Sequence, residues 1–193
     1  ACVIPVATVE ECIAIGNQTP NSITAGERDG KVATGLAYGN SPFEYPADFI
    51  NGKTLVLTTT NGTKLLHMVK GASKIIIGSF LNLDAVIDFL KKDDKPVILG
   101  CAAWKDRFNL EDTLFAGALI DALTGEYEVA DDAALMAWKQ YNVASNDLLT
   151  AVKNSSHVNR LLGLGIEKDI AFCLEFDRYS VLPKLEGDAL RLV

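Results

Sequence analysis

The chain has 193 residues, 49% of them hydrophobic and 22% charged, and its 18 Lys and Arg against 25 Asp and Glu give a formal net charge of −7. This composition excludes a disordered tail and a miniature disulfide scaffold, and the scattered basic residues argue against nucleic acid as a partner. The longest apolar runs, at residues 133–138 and 170–174, are far shorter than the roughly 20 residues that cross a membrane. We therefore expect a cytoplasmic protein that binds neither nucleic acid nor membrane, with a homodimer as the commonest assembly.

Strand-like and helical patterns alternate along the chain. Apolar or β-branched patterns typical of strands occur at residues 1–6, 22–25, 54–60, 74–79, 96–103, 179–183 and 189–193. Helical patterns follow from residue 8, at residues 65–69, 83–92 and 111–123, and from residue 131 onward. This alternation predicts an α/β fold of three layers, α/β/α, with a mixed, largely parallel sheet. Because no linker or repeat interrupts it, we predict one domain over residues 1–193, with two intertwined lobes as the alternative.

The most informative motif stands where a predicted strand meets a predicted helix. It consists of Thr58, Thr59, Thr60, Asn61, Gly62 and Thr63. Backbone N–H groups at a helix start and threonine hydroxyls can together surround a phosphate oxygen, and the glycine permits close approach. The alternative is a plain hairpin, because Asn-Gly is the strongest two-residue hairpin signal. The helical spacing of the following residues favours the anion site.

Two charged pairs also follow predicted strands. Arg28 can bind a phosphate or sulfonate bidentately and Glu27 can hold a cation, although a solvated loop with two opposite charges is the commoner outcome for such a pair. Glu111 and Asp112 open a predicted helix. They either ligate Mg²⁺ or complement the helix dipole, and the second outcome is the commoner one.

Four further polar residues are candidates with ordinary alternatives. Asn40 and Ser41 precede a proline, so they suit a plain turn equally well. Asn82 follows a predicted strand and is either a ligand contact or a helix N-cap. His157 lies in a helical region, where a histidine is more often a surface or packing residue, and His67 is the weaker candidate of the two histidines.

Ligands of open α/β sheets gather beyond the carboxyl ends of the strands. The polar residues that follow predicted strands are Glu27, the threonine run, Asn82 and the Glu111 and Asp112 pair. We therefore predict that they share one pocket. Its hydroxyls, amides, one arginine and several carboxylates suit a divalent cation together with a small anionic ester.

Five motifs taken together resemble the 2-phosphosulfolactate phosphatase family: GERDG, YGNSPFEY, GKTLVLTTTNGT, GSFLN and FNLEDTLFAG. The segments RLLGLGIEKDIAFCLEFD and SVLP resemble the family's C-terminal region, so the resemblance spans most of the chain. It implies a layered α/β fold and Mg²⁺-dependent hydrolysis of a phosphate monoester. The expected reaction converts (2R)-2-phospho-3-sulfolactate to 3-sulfolactate and phosphate, on the route to coenzyme M.

The resemblance also implies roles for residues. Substrate contacts fall on Arg28, Asn40, Ser41, Thr58, Thr59, Thr60, Gly62 and Thr63, and the local sequence context adds Asn82 and His157. Catalysis falls on Glu27, Asn61 and Asp112, and metal binding on Glu27, Glu111 and Asp112. The family's N-terminal strand and helix, with an I-D-V-L-R-A-T type motif, has no counterpart, so we expect either a fragment of a longer product or a member that lost the segment. The alternative function is a non-catalytic binder of phosphorylated or sulfonated metabolites.

Overall fold

The computed structural model describes residues 2–193, which divide into two compact units. The first unit runs to Ile76 and also includes Pro183–Val193, and the second unit is Ile77–Leu182. Within the described residues, no helix combines the length and the apolar character that a membrane crossing requires. The single domain over residues 1–193 stays a prediction.

The described part of the first unit contains a mixed sheet of six strands. Its elements in chain order are β1 (Cys2–Pro5), α1 (Val9–Gln18), β2 (Ser22–Arg28), β3 (Lys31–Val32), α2 (Ala47–Ile50), β4 (Thr54–Thr58), α3 (Gly62–Met68), β5 (Pro183–Glu186) and β6 (Ala189–Leu192). The strand order is β3-β2-β4-β1-β6-β5. β1 and β2 each pair in parallel with β4, and the other pairs are antiparallel. The predicted α/β class is confirmed.

Helix α1 begins as its sequence predicts. The Thr8 hydroxyl accepts a hydrogen bond from the Glu11 N–H at 3.1 Å, and the Glu11 carboxylate accepts one from the Thr8 N–H at 3.3 Å. This reciprocal capping satisfies donors that a helix start otherwise leaves unpaired. The helix packs against the sheet through Cys12, which is fully buried together with Val56. The Cys12 sulfur lies 3.2 Å from the Val56 carbonyl oxygen, so the thiol donates into the core.

Several predicted strands differ from the structure. Residues 74–79 and 96–103 have strand-like sequences, but within the described chain neither forms a strand. Ile76 makes only an isolated bridge with Lys184, and Ile98 is 92% exposed. A strand requires a neighbour for its backbone N–H and C=O groups, and an apolar pattern does not show whether that neighbour exists.

Strand β2 is longer than predicted. The glycine-flanked segment that begins at Gly26 continues β2 to Arg28, and only the turn at Asp29 and Gly30 separates it from β3. Asp29 and Gly30 have φ of 55° and 78°. This left-handed conformation closes a tight hairpin. Glu27 and Arg28 therefore lie on a strand rather than in a loop.

Gly26 allows β2 and β4 to approach closely. A Cβ atom at this position would lie 2.2 Å from the Thr58 carbonyl oxygen. We expect Gly26→Ala to lower the free energy of unfolding by about 2–4 kcal/mol, because backbone must move to relieve the overlap. Urea denaturation measures this loss. Gly71→Ala is the matched control, since nothing lies within 4 Å of its Cβ position, and equal stability of the two variants would contradict the argument.

The second unit is helical over its described residues. It contains α4 (Leu83–Leu90), α5 (Leu110–Ala122), α6 (Asp132–Ala144), α7 (Leu148–Val152), α8 (Ser156–Leu162) and α9 (Glu167–Cys173). Helix α5 has more buried residues than the other helices of the second unit. Helix α6 approaches it so closely that a Cβ at Gly117 would lie 2.2 Å from the Ala137 carbonyl oxygen. This packing fixes α5, whose first turn carries the predicted acidic pair.

Candidate active site

A cavity of about 490 Å³ opens in the first unit. It is lined by Ala7, Arg28, Thr59, Thr60, Lys64, His67 and Met68. Ala7, Arg28 and Thr59 stand at or just beyond the carboxyl ends of the three mutually parallel strands β1, β2 and β4. This edge is where ligands of α/β sheets bind. Two lining residues are cationic and none is acidic, so the cavity suits an anion.

Arg28 is held in place at the cavity by oxygen acceptors. Its Nη1 donates to the Glu27 carbonyl oxygen at 2.7 Å, and its Nη2 donates to the Thr58 hydroxyl at 3.0 Å and to the Ala7 carbonyl oxygen at 3.4 Å. These partners are neutral, so they orient the guanidinium without cancelling its charge. A charge fixed in this way binds an anion without reorganisation.

Glu27 connects two turns of the first unit. Its side chain is buried, with the residue only 9% exposed. One carboxylate oxygen accepts from the Gly30 N–H at 2.9 Å, and the other accepts from the Thr60 N–H at 2.8 Å. Both oxygens therefore already have backbone partners, which fits a metal ligand poorly. The predicted metal and catalytic roles of Glu27 stay predictions.

The threonine run forms the predicted strand-to-helix junction rather than a hairpin. Its backbone N–H groups, however, are largely used inside the unit. Thr59 and Thr63 each donate a backbone N–H to the other's hydroxyl at 3.1 Å, and Thr60 donates to Glu27. Instead of a cradle of free amides, the run contributes Thr59 and Thr60 to the cavity lining, and the Thr60 hydroxyl oxygen is buried without a hydrogen-bond partner among the described residues.

The other four members of the run do not line the cavity. Thr58 and Thr63 are buried, and neither is a lining residue of the cavity. Thr58 orients Arg28, and Thr63 closes the turn with Thr59. Substrate contacts by Thr58, Gly62 and Thr63, and catalysis by Asn61, stay predictions.

Two ionisable cavity residues were not among the predicted site residues. Lys64 and His67 lie on α3, and His67 Nε2 is buried with no hydrogen-bond partner within residues 2–193. Lys64 and His67, three residues apart within α3, share one helix face that follows the threonine run, and this is the signal that could have identified both.

Of three further predicted contacts, Ser41 and Asn82 have structural roles and Asn40 is exposed. Ser41 caps the 3₁₀ turn Pro42–Glu44 by accepting from the Phe43 N–H at 3.4 Å, and Asn40 is exposed beside it. Asn82 accepts from the Ser79 N–H and hydroxyl and donates to the carbonyl oxygens of residues 77 and 181. These four bonds use the full capacity of an amide side chain. We therefore assign Asn82 a structural role in the second unit.

The acidic pair occupies the first turn of α5 in the second unit. Asp112 accepts from the Ala103 N–H at 2.8 Å. Both Glu111 carboxylate oxygens are buried and have no hydrogen-bond partner in the described chain, and the nearest histidine nitrogen, Nε2 of His157, lies 3.4 Å from Oε1. Burial raises the pKa of the Glu111 and Asp112 carboxyls.

This pair fits a magnesium ion better than Glu27 does. Mg²⁺ prefers oxygen ligands and is usually held by one or two carboxylates, with water and substrate completing its shell. The Glu111 oxygens are buried without a hydrogen bond among the described residues, their ion-pair partner is the His157 imidazole at 3.4 Å, and Asp112 is the adjacent residue. No group of three or more His, Cys, Asp or Glu side chains within residues 2–193 could hold a metal, so Mg²⁺ binding by these two carboxylates stays a prediction.

The predicted site residues thus fall into two sets. The first unit brings together Arg28, Glu27 and the threonine run, and the second unit brings together Glu111, Asp112 and His157. The single shared pocket stays a prediction.

Comparison with known proteins identifies the family. The family model described as 2-phosphosulpholactate phosphatase matches residues 1–188. A probable 2-phosphosulfolactate phosphatase of Caldanaerobacter subterraneus subsp. tengcongensis is 36% identical over 193 residues, covering 98% of this chain and 80% of the relative. The protein of the same name from Thermotoga maritima is 40% identical over 183 residues, covering 95% of this chain and 78% of the relative.

A third relative agrees. The probable 2-phosphosulfolactate phosphatase of Synechocystis sp. is 33% identical over 184 residues, covering 92% of this chain and 76% of the relative. These matches confirm the resemblance that the sequence motifs indicate. The chain therefore belongs to the 2-phosphosulpholactate phosphatase family and is a phosphoric monoester hydrolase.

Proposed function

We propose that the protein hydrolyses (2R)-2-phospho-3-sulfolactate to 3-sulfolactate and phosphate, with Mg²⁺ as its metal. The names of the relatives support this substrate. The observation that carries the proposal is the cationic cavity of the first unit, which Arg28 and Lys64 line. The substrate carries a carboxylate, a sulfonate and a phosphate, so a protein with a formal net charge of −7 needs local positive charge to bind it.

The cavity also supplies neutral polar groups. Thr60 and His67 line the cavity, and the Thr60 hydroxyl and His67 Nε2 are buried without hydrogen-bond partners in the described chain. Buried polar atoms are normally hydrogen-bonded, so both are available to the oxygens of an acid group. Arg28 adds charge-assisted hydrogen bonds, which are about twice as strong as neutral ones. Together they bind and orient one acid group of the substrate.

We assign the metal to Glu111 and Asp112 of the second unit. Bound Mg²⁺ supplies a Lewis acid for phosphoryl oxygens. Both carboxyls must lose their protons before they can bind a cation, and burial raises the pKa of each. Metal affinity should therefore fall when the pH is lowered towards these raised pKa values.

The test is phosphate release from purified protein with synthetic 2-phospho-3-sulfolactate, in Mg²⁺ and in EDTA. We expect release in Mg²⁺ and loss of release in EDTA that added Mg²⁺ restores. 2-Phospholactate, which lacks the sulfonate, is the control substrate and should give a lower kcat/KM. A protein that binds the substrate and releases no phosphate under either condition would instead be the binding protein that the sequence left open.

A further inference from the structure

The second unit contains a guanidinium whose hydrogen-bonding capacity is mostly unused. Arg160 lies on α8, and its Nε and Nη1 are buried with no hydrogen-bond partner among residues 2–193. Its Nη2 lies 3.0 Å from Nδ1 of His157. A buried donor without an acceptor is costly, and more so when it is charged. Such an arrangement indicates a missing acceptor, and for a guanidinium the best acceptor is an oxyanion.

The contacts of Arg160 hold it in place and leave two of its nitrogens without an acceptor among the described residues. The guanidinium carbon lies 4.9 Å from the ring centroid of Trp104, a distance at which cation and ring attract each other. Trp104 lies within a turn in which Ala103, Lys105 and Asp106 all have positive φ. Non-glycine residues rarely adopt that conformation, so three of them together mark a segment held by its surroundings. An aromatic face and an imidazole orient the guanidinium but offer no acceptor to Nε and Nη1.

The proton positions on His157 follow from the chemistry of arginine. A guanidinium has no acceptor atom, so Nδ1 of His157 must accept the hydrogen bond from Arg160. The ring proton then resides on Nε2, which faces Glu111 at 3.4 Å. His157 is thus a positioning residue between a carboxylate and a guanidinium. Both of these charged groups have buried atoms without hydrogen-bond partners in the described chain.

We propose that Arg160 binds phosphate oxygens, those of the product phosphate and of the phosphoryl group from which it derives. Nε and Nη1 of Arg160 are buried donors without an acceptor in the described chain, and a phosphate supplies oxyanion acceptors for both. Arginine suits phosphate because its donors form a planar fork. The inference rests on the proposed function only for the identity of the anion, because the unpaired donors exist whatever the reaction is.

The test is isothermal titration of inorganic phosphate and, separately, of 3-sulfolactate into the full chain, each with and without Mg²⁺. We expect Arg160→Gln to weaken phosphate binding at least about 10-fold, the usual loss for hydrogen bonds to a charged group. The affinity for 3-sulfolactate, which has no phosphate, should change less than about twofold. Arg160→Lys, which keeps the charge without the fork, should lie between wild type and Arg160→Gln.

Arg178→Gln is the matched control. Arg178 is also an arginine of the second unit stacked on an aromatic ring, 5.0 Å from the centroid of Phe172, but it is paired with Glu175 at 2.6 Å. Its substitution should leave both affinities unchanged. Circular dichroism of each variant checks folding, and Arg160→Lys carries the test if Arg160→Gln does not fold.

Three outcomes for Arg160→Gln would overturn the inference: an unchanged affinity for phosphate, an equal decrease in affinity for phosphate and 3-sulfolactate, or a decrease in affinity for 3-sulfolactate alone. Failure of the proposed function is separate, because it would appear as wild-type protein that binds phosphate and releases none from 2-phospho-3-sulfolactate. Binding is measured without turnover, so each result stands on its own.

Discussion

Arg28→Gln should lower kcat/KM for 2-phospho-3-sulfolactate about 100-fold, mainly by raising KM. Arg28 lines the cavity of the first unit, and its nearest partners, the Thr58 hydroxyl and the carbonyl oxygens of Glu27 and Ala7, are neutral. Its charge is therefore available to an acid group of the substrate. Hydrogen bonds to a charged group contribute about 1.5–3 kcal/mol, and a contact made equally in the bound substrate and the transition state appears in KM.

A second substitution separates charge from position. Thr58→Val removes the hydroxyl that holds Nη2 of Arg28 at 3.0 Å and keeps the side chain's shape. Because the guanidinium remains, we expect a smaller loss, about 10-fold in kcat/KM. Steady-state kinetics of both variants, normalised to folded protein, provide the comparison.

Arg191→Gln is the control for Arg28, since Arg191 is an exposed arginine on β6 of the same unit. Its kinetics should match wild type. If Arg28→Gln retained wild-type KM while Arg191→Gln did the same, the cavity would not be the substrate site.

The junction between β4 and α3 could be predicted from sequence because its information is local. A β-branched run followed by helical spacing defines both elements, and the capping of α1 by Thr8 and Glu11 is equally local. The partners of Glu27 could not be predicted in this way. Its oxygens accept from Gly30 and from Thr60, 33 residues away, and no spacing rule relates the second pair.

His67 and Arg160, which were not predicted as site residues, share one property. His67 and Arg160 attract attention because buried atoms of theirs lack partners, and burial is a property of the tertiary structure. Periodicity places a side chain on a helix face but does not state what covers that face. The same reasoning explains residues 96–103, whose apolar sequence predicted a strand although Ile98 is largely exposed.

Glu111→Gln and Asp112→Asn should each lower Mg²⁺-stimulated turnover about 1,000-fold, the largest losses that we expect in this chain. Each removes one carboxylate of the pair that fits the metal, and loss of one preorganised charge contact at a reacting group typically lowers kcat by about 100- to 1,000-fold. Titration calorimetry with Mg²⁺ should show weakened binding in both variants. Asp121→Asn, near the other end of α5, is the control, because Asp121 already accepts from the Trp138 indole at 2.8 Å.

Although Glu111→Gln should lower turnover, it should raise the stability of the protein without metal. Because burial raises the folded-state pKa of Glu111, the folded protein holds this proton more tightly than the unfolded chain does. Its stability is therefore greatest below the ordinary carboxyl pKa and decreases as the pH rises through the raised pKa. Glutamine cannot ionise, so in EDTA at neutral pH the variant should be more stable than wild type by about 1 kcal/mol.

The pH dependence distinguishes this explanation from a general packing effect. The stability difference between Glu111→Gln and wild type in EDTA should disappear in acid, where Glu111 is protonated in both states. Added Mg²⁺ should raise the melting temperature of wild type and of Asp121→Asn but leave Glu111→Gln unaffected, because only a state that binds the metal is stabilised by it. A Glu111→Gln variant that is less stable than wild type at neutral pH, or that still gains stability from Mg²⁺, would contradict the assignment of Glu111 as a buried carboxylate reserved for the metal.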